Sequence, residues 1–368
     1  MTSPTGPLVL RLGARTSPLA RAQVDLVAGL LAERGVASTF VGVTTRGDVD
    51  QRALTEIGGT GVFAGAVRDA LRHGEIDVAV HSLKDLPTAP DPDLEVLAVP
   101  EREDTRDVLV GRGLAGLDDG ARVGTGAPRR AVQLQDWADR TGRRIEIVPV
   151  RGNVDTRLGL VRSGRVDAVL LAAAGLRRLG YLHAEHSSSD VRDGGEVTTT
   201  AAVKDLPAEI LSLALMLPAP GQGALALEVA RDLDPALKEH VRALDHAVSH
   251  AEALTERAFL ARLEAGCTAP VGARAVVKSV RGTSHDLTLS AVIGRTLLSS
   301  VETPAGSGPP LRLEVEGFSE RPEDFGTEHA SGVLATLQSD DRPAPARPTS
   351  LPPPARDGGP GQQNARRQ

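Results

Sequence analysis

The sequence predicts an α/β protein: two duplicated α/β domains around a cleft, followed by a small C-terminal α+β domain. Three observations lead there. Apolar runs alternate with helical patterns early in the chain, the same motifs then recur in the same order, and the pattern finally changes to a long helix followed by strands. At roughly 100 to 200 residues per domain, a chain of 368 residues is also too long for one core.

Taken in order, residues 8–12 form a short apolar run that reads as a strand. Ser17-Pro18 supplies an N-cap and a proline at the first helical position, opening a helix that ends near Arg34-Gly35. Residues 39–43 read as a second strand, 62–73 as a helix stopped by Gly74, and 76–81 as a third strand running into the polar turn Ser82-Leu83-Lys84-Asp85. Strands separated by helices require a parallel sheet covered on both faces.

The order then repeats. RLGARTSPLARAQ from Arg11 matches RVGTGAPRRAVQ from Arg122, RGDVDQRAL from Arg46 matches RGNVDTRLG from Arg151, and GEIDVAV from Gly74 matches GRVDAVL from Gly164. The offsets fall smoothly (122−11 = 111, 151−46 = 105, 164−74 = 90), as if the second copy had lost connecting residues at two places. Chance explains any one match; three in the same order favour duplication. In such sheets ligands sit beyond the carboxyl ends of the strands, so two facing units place those ends across a cleft. Residues 182–204 turn polar and irregular and read as a surface loop. At Asp234-Pro235 a long helical pattern starts and runs to Ala265, followed by strand-like runs near Ala275, Leu287 and Leu311 and a last helix over 330–337. The proline-rich tail beyond Asp340 is expected to be disordered.

Composition excludes several classes of function. With 42 Lys+Arg against 48 Asp+Glu and a formal net charge of −6, bulk basicity for nucleic acid or an anionic membrane is missing. Aromatic residues at 2% leave too few rings for base stacking or lipid belts. A single cysteine rules out internal disulfides and multi-thiolate metal sites, and no metal is expected. The N-terminal residues lack an apolar core behind a basic start, and no apolar run approaches the ~20 residues that span a bilayer, so a soluble cytoplasmic protein is expected.

Three features can carry chemistry. Cys267 lies in LEAGCTAPVG, a glycine-flanked turn after the long helix. A lone cysteine is usually a small buried hydrophobe, but such a turn exposes the sulfur. Spacing identifies no histidine partner, so a thiol alkylated once and a recycling nucleophile both remain open. Asp85 follows a strand in HSLKDLP; its ordinary fate is a solvated turn residue, and KDLP recurs at 204–207 without an apolar strand before it. Strand context therefore selects Asp85. Arg15, Arg129, Arg130, Arg151, Arg157 and Arg178 each follow a strand or open a helix. Singly they read as surface residues; together they suggest a cleft for several carboxylates or phosphates, which the planar guanidinium binds bidentately. Neither a GxxxxGK[ST] loop nor a GxGxxG after a strand is present, which disfavours nucleotides. Two other functions remain open: a solute-binding module, which needs neither Cys267 nor Asp85, and a thiol acyltransferase, which needs a base near Cys267.

Over roughly 8–337 the chain resembles the hydroxymethylbilane synthase (porphobilinogen deaminase) family. The resemblance rests on ARTSPLA at 14–20, TRGD at 45–48, HSLKDLP at 81–87, ERED at 101–104, RGNVDTRL at 151–158, AAAGLRRLG at 172–180, PGQGALALE at 220–228 and LEAGCTAPVG at 263–272. It implies two periplasmic-binding-protein-like α/β domains (1–103 with 213–232, and 104–212), an α+β cofactor-bearing domain (233–339) and a disordered tail (340–368). It also implies a cytoplasmic monomer with porphobilinogen as substrate and no nucleic-acid or membrane partner. The reaction implied is the head-to-tail joining of four porphobilinogen molecules with release of ammonia, then hydrolysis to the linear tetrapyrrole hydroxymethylbilane.

Residue by residue, the resemblance makes Cys267 the thioether anchor of a dipyrromethane cofactor and Asp85 the catalytic carboxylate beside the pyrrole nitrogens. Lys84, Ser82, Arg129, Arg130 and Arg157 would hold cofactor carboxylates, and Arg15, Ser17, Arg151 and Arg178 the incoming ring. Each added ring brings two carboxylates, more than six motif arginines can meet one for one, so the chain is drawn through a fixed site or the domains shift, with hinges near 101–104 and 217–223. The sequence departs from the family at GGTGVF, where GGKGLF is common and Thr60 replaces a lysine, at Glu56, and at Gly126-Ala127-Pro128, where two serines are common. Backbone amides of Gly59, Gly61 and Gly126 are expected to substitute for the lost donors.

Overall fold

Alternating burial makes the first strand. β1 (Val9–Arg15) buries Leu10, Leu12 and Ala14, then feeds α1 (Pro18–Ala32), whose N-cap Ser17 accepts a hydrogen bond from the Ala20 amide. The computed structural model describes residues 9–44, 64–184, 199–263, 269–298 and 308–338. β2 (Ala37–Val43), α2 (Gly65–Arg72), β3 (Val78–Ser82) and β4 (Leu94–Ala98) complete the first passage. The second comprises β5 (Asp107–Gly111), β6 (Ala121–Gly124), α3 (Pro128–Thr141), β7 (Ile145–Val148), α4 (Val154–Arg162), β8 (Ala168–Ala172), α5 (Ala173–Arg178), β9 (Leu182–Ala184), β10 (Thr199–Val203) and β11 (Leu206–Ile210), before β12 (Leu225–Ala230).

The duplication appears in the strand order. One sheet runs β2-β1-β3-β12-β4, the other β7-β6-β8-β5-β11-β10-β9. In both, the first three strands are parallel and the fourth is antiparallel. That fourth strand is exchanged. β5 leaves the first unit to enter the second sheet, and β12 returns from the second unit to enter the first, so residues 99–106 and 211–224 form two crossovers between the units. The third unit is an antiparallel sheet of β13 (Val271–Arg281), β14 (Ser284–Ile293) and β15 (Leu311–Ser319), preceded by α6 (Pro235–Arg242) and α7 (Ala247–Arg262). After the short α8 (Arg295–Leu298), α9 (Pro322–Gln338) joins α7 over one sheet face, where Phe259, Leu260 and Phe325 meet Ala273, Leu287 and Leu289. The architecture is the predicted one, two duplicated α/β units plus an α+β unit.

Several element boundaries differ from the sequence reading, each for a tertiary reason. The helical pattern over 234–265 is two helices, because the Asp245 side chain and the His246 backbone bond the first crossover: the Val99 amide donates to Asp245 Oδ1 at 2.7 Å, and the His246 amide to Val99 O at 2.9 Å. The last helix starts at Pro322, well before 330. Gly326 weakened the helical signal there, yet it is required where α9 crosses α7, since a Cβ would lie 2.1 Å from Thr255 O. The polar stretch 182–204 is not loop at its ends: β9 and β10 are strands, with Ala201 and Val203 buried at alternate positions. Residues 185–198, the start of the predicted helix at 62–63, and the tail lie outside the described residues. No described helix is long and apolar enough to cross a membrane.

Candidate anion-binding active site

The site grows from the carboxyl ends of the strands. β3 is buried along its first four residues and runs into a 3₁₀ turn over Leu83–Asp85. Leu83 and Leu86 are both 2% exposed and act as apolar pegs; between them Asp85 is carried into solvent, while the Lys84 ammonium reaches inward to Gln222. The Leu83 amide donates to Ala224 O of the second crossover (3.0 Å), and Gln23 Nε2 to Ser82 Oγ (2.8 Å). Ser17 Oγ is engaged as the cap of α1.

From the second unit, α3 begins at Pro128 and turns Arg129 and Arg130 inward onto Asp107, the first residue of β5 and fully buried. Arg129 Nη1 lies 2.6 Å from Asp107 Oδ2 and Arg130 Nη2 lies 2.7 Å from Oδ1. Burial pushes the Asp107 carboxyl up, but the two guanidiniums outweigh burial and hold it well below the usual carboxylate range. Gln222, also fully buried, joins both units and both crossovers: Nε2 donates to Asp107 Oδ1 (2.8 Å) and Thr105 O (2.8 Å), while Oε1 accepts from Arg129 Nη2 (2.9 Å) and Lys84 Nζ (3.4 Å). Asp107 and Gln222 were not singled out from sequence. An acid opening an apolar strand, and the glutamine of PGQGALALE, are the signals that point to them.

The cations outnumber the acids. Burial lowers the Lys84 ammonium to about 8, with Arg130 and Arg129 adding to the shift and Asp85 and Asp107 opposing it. Burial likewise lowers Arg157 to about 10, with Arg130 and Arg151 adding and Asp85 opposing; its Nε donates to Gly152 O at 3.0 Å. Lys84, Asp85, Arg130, Arg151 and Arg157 thus lie within electrostatic reach across the two units. Arg178, lowered to about 10 by burial against the pull of Glu103, donates to Gly223 O of the crossover at 2.6 Å. A Cβ at Gly175 of α5 would lie 3.5 Å from Leu19 of α1, so the start of α1, with Ser17 and the preceding Arg15, faces the helix bearing Arg178.

Arg129 is saturated by protein: its terminal nitrogens go to Asp107, Gln222 and Leu217 O. By contrast Arg130 Nε and Arg178 Nε are buried without a hydrogen-bond partner. Orphaned buried guanidinium donors amid surplus positive charge fit the carboxylates of an anionic group. At position 126 a serine would not fit without a shift, since a Cβ would lie 2.6 Å from Val150 O. The Ala127 amide there donates to Thr125 Oγ1 (3.2 Å).

Cys267, Thr60, Glu56, Gly59 and Gly61 lie outside the described residues. The flanks of the cysteine segment are described. α7 ends at Arg262 with the buried Leu263 as its C-cap, and the described chain resumes at Ala269; the Pro270 carbonyl accepts from Gly294, and Ala273 donates to Pro218 O of the second crossover (3.0 Å). The other KDLP forms the β10–β11 hairpin turn, where Asp205 pairs with Arg162 at the surface and Lys204 Nζ donates to Asp155 (2.8 Å).

Replacing Asp107 with asparagine removes the charge on which two buried arginines rest. Breaking a buried pair from one side typically costs ~3–5 kcal/mol, so the denaturant midpoint of Asp107→Asn should fall by that equivalent. A loss under ~1 kcal/mol, the range of surface pairs, would contradict the hub.

A family model described as "Porphobilinogen deaminase, dipyromethane cofactor binding domain" matches residues 10–238, and one described as "Porphobilinogen deaminase, C-terminal domain" matches 250–307. The chain is 48% identical over 304 residues to Porphobilinogen deaminase 1 of Streptomyces coelicolor, covering 82% of this chain and 88% of that protein. It is 45% identical over 338 residues to Porphobilinogen deaminase of Leifsonia xyli subsp. xyli, covering 90% and 93%. To Porphobilinogen deaminase 1 of Streptomyces avermitilis it is 46% identical over 338 residues, covering 89% and 95%.

Proposed function

This chain belongs to the porphobilinogen deaminase family, and on that premise we propose how its residues divide the family's reaction among themselves. The protein is a transferase of tetrapyrrole (haem) biosynthesis with a dipyrromethane cofactor. It joins porphobilinogen units head to tail with release of ammonia and hydrolyses the product to hydroxymethylbilane. The observation that carries the site assignment is an exposed carboxylate, Asp85, set between two buried leucines and within electrostatic reach of Lys84 and Arg157.

When bound, the dipyrromethane supplies the primer ring to which the first substrate unit is joined; Cys267, the sole thiol, is its anchor in our reading. Lys84, Ser82, Arg130 and Arg157 hold its carboxylates. Arg129, with its terminal nitrogens engaged, contributes charge and fixes the start of α3. Arg15, Ser17, Arg151 and Arg178 receive the carboxylates of the incoming ring. As the carbon–nitrogen bond of the substrate's aminomethyl group breaks, ammonia leaves with the electron pair and positive charge spreads over the pyrrole. The Asp85 carboxylate stabilises that charge by accepting the pyrrole N–H, and then takes the proton lost when the new carbon–carbon bond forms.

The crossovers at 99–106 and 211–224 are the hinge elements that accommodate a lengthening product, linked to the third unit through Glu256. This fully buried residue accepts from both terminal nitrogens of Arg102 (2.8 Å each), from the Gly221 amide (2.7 Å) and from the Ala275 amide (2.9 Å). The three sheets support dividing the chain into 1–103 with 213–232, 104–212 and 233–339. The net charge of −6 supports the absence of a nucleic-acid partner, and in this reading the protein acts as a monomer in the cytoplasm.

Incubation with porphobilinogen tests the reading: ammonia and a product that oxidises to a coloured porphyrin are expected, whereas a solute-binding module would retain the substrate unchanged. Truncating one member of a buried charge pair typically costs ~2–5 kcal/mol, so Arg157→Leu should lower ring affinity or cofactor occupancy by at least tenfold. Arg281, exposed and stacked over Phe318, serves as the control, and Arg281→Leu should change neither by more than about twofold. Equal turnover and occupancy in the two variants would place the anion cleft elsewhere.

A further inference from the structure

Helix α7 extends from the third unit to the back of the turn that carries Asp85. There Arg257 grips only backbone. Nη1 donates to Leu86 O at 2.9 Å and to Leu83 O at 3.3 Å, and Nη2 to Pro87 O at 2.6 Å. Burial lowers this guanidinium to about 10, with Arg68 adding to the shift and Glu228 opposing. Holding a cation in a buried setting on carbonyl dipoles is costly unless its donors are well satisfied, and three convergent oxygens satisfy this one.

The other anchors of the turn act on its first half. Gln23 holds Ser82, Ala224 O holds the Leu83 amide, and the Leu86 amide closes the 3₁₀ turn onto Leu83 O. Arg257 reaches the second half, at Leu86 and Pro87, and shares Leu83 O with the turn's own hydrogen bond. Lys84 and Asp85 are therefore bracketed from both sides. The same helix, α7, ends at Arg262 and leads directly into the segment containing Cys267. A rigid helix thus connects the backbone beneath the carboxylate to the base of the cysteine segment. A guanidinium fork fixes distance and direction together, which a flexible ammonium does not.

We propose that Arg257 is a positioning residue: it sets the Asp85 carboxylate relative to the cofactor-bearing unit by clamping the carbonyls of Leu83, Leu86 and Pro87. This rests on the reading of Asp85 as the catalytic carboxylate.

The test uses the full-length holoenzyme. Arg257→Gln removes the fork, and a misplacement of about 1 Å can cost ~10²-fold, so kcat should fall ~10- to 100-fold, with KM for porphobilinogen within twofold and the cofactor adduct retained by intact mass. In an Asp85→Asn background the same substitution should cost less than twofold, because an absent charge cannot be misplaced. A residue with a merely structural role would lower Tm and cofactor occupancy and cost the same in both backgrounds. Equal losses in the two backgrounds, or an unchanged kcat in the parent background, would overturn the proposal. If Arg257→Gln is not recovered folded, Arg257→Lys decides: it keeps the charge without the fork, and should lower kcat about tenfold at unchanged KM, whereas full kcat would overturn the clamp. Wild-type kcat in Asp85→Asn alone would remove the reading on which the proposal stands, whereas an impaired Asp85→Asn beside a fully active Arg257→Gln would remove only the role of Arg257.

Discussion

Asp85→Asn should fold, carry the cofactor when that is supplied as preformed tetrapyrrole, and turn over ~10²–10³ times more slowly than the parent chain, the usual cost of removing one preorganised electrostatic group. Folding should survive because the turn is held by buried leucines and by backbone and arginine contacts, none of which uses the Asp85 carboxylate. Asparagine keeps the size and one acceptor, so the loss isolates the charge. Asp85→Glu restores the charge about one methylene out of place and should retain partial activity, with slower release of ammonia or product. Asp205→Asn is the internal control: that carboxylate sits in an exposed hairpin turn paired with Arg162, and its loss should leave kcat within about twofold. A normal Asp85→Asn beside a dead Asp205→Asn would move the site to the 204–207 turn.

Cys267→Ala should yield a chain of unmodified mass that makes no tetrapyrrole. The sequence contains one cysteine, so no other thiol can take over as anchor. The segments on either side are fixed independently of it, α7 by its core residues Phe259 and Leu260 and β13 by its pairing with β14, so the variant should fold with a thermal midpoint close to that of the apo parent. Its far-ultraviolet spectrum and midpoint separate loss of the primer from loss of the fold. Activity, or an adduct, in this variant would show that the primer is held elsewhere.

The parts of the site that were legible in the sequence are those in which a local pattern carries the chemistry. Asp85 stands out because an apolar strand precedes one KDLP and not the other, and the structure has those two copies as the end of β3 and an exposed hairpin. Ser17 was readable as a cap because an N-cap followed by proline is a purely local device. What could not be read depends on exchange between the units. No window of sequence shows that β5 belongs to the second sheet and β12 to the first, so the burial of Asp107 beneath Arg129 and Arg130, and of Gln222 where the crossovers meet, has no local signature. The two arginines consequently read as free ligand donors, whereas Arg129 is engaged by protein. Nothing in the helical pattern singles out Arg257, because its partners are carbonyls remote in sequence and carbonyls leave no compositional trace. The break at 243–246 has the same origin, a bond to Val99 outweighing helical propensity.

The most direct test of the central claim is the intact mass of the purified active chain, followed by mapping of the peptide that contains Cys267. The account predicts a chain heavier than its sequence by one two-ring dipyrromethane, confined to that peptide. A fully active preparation whose every peptide, including the one bearing Cys267, has its unmodified mass would contradict it.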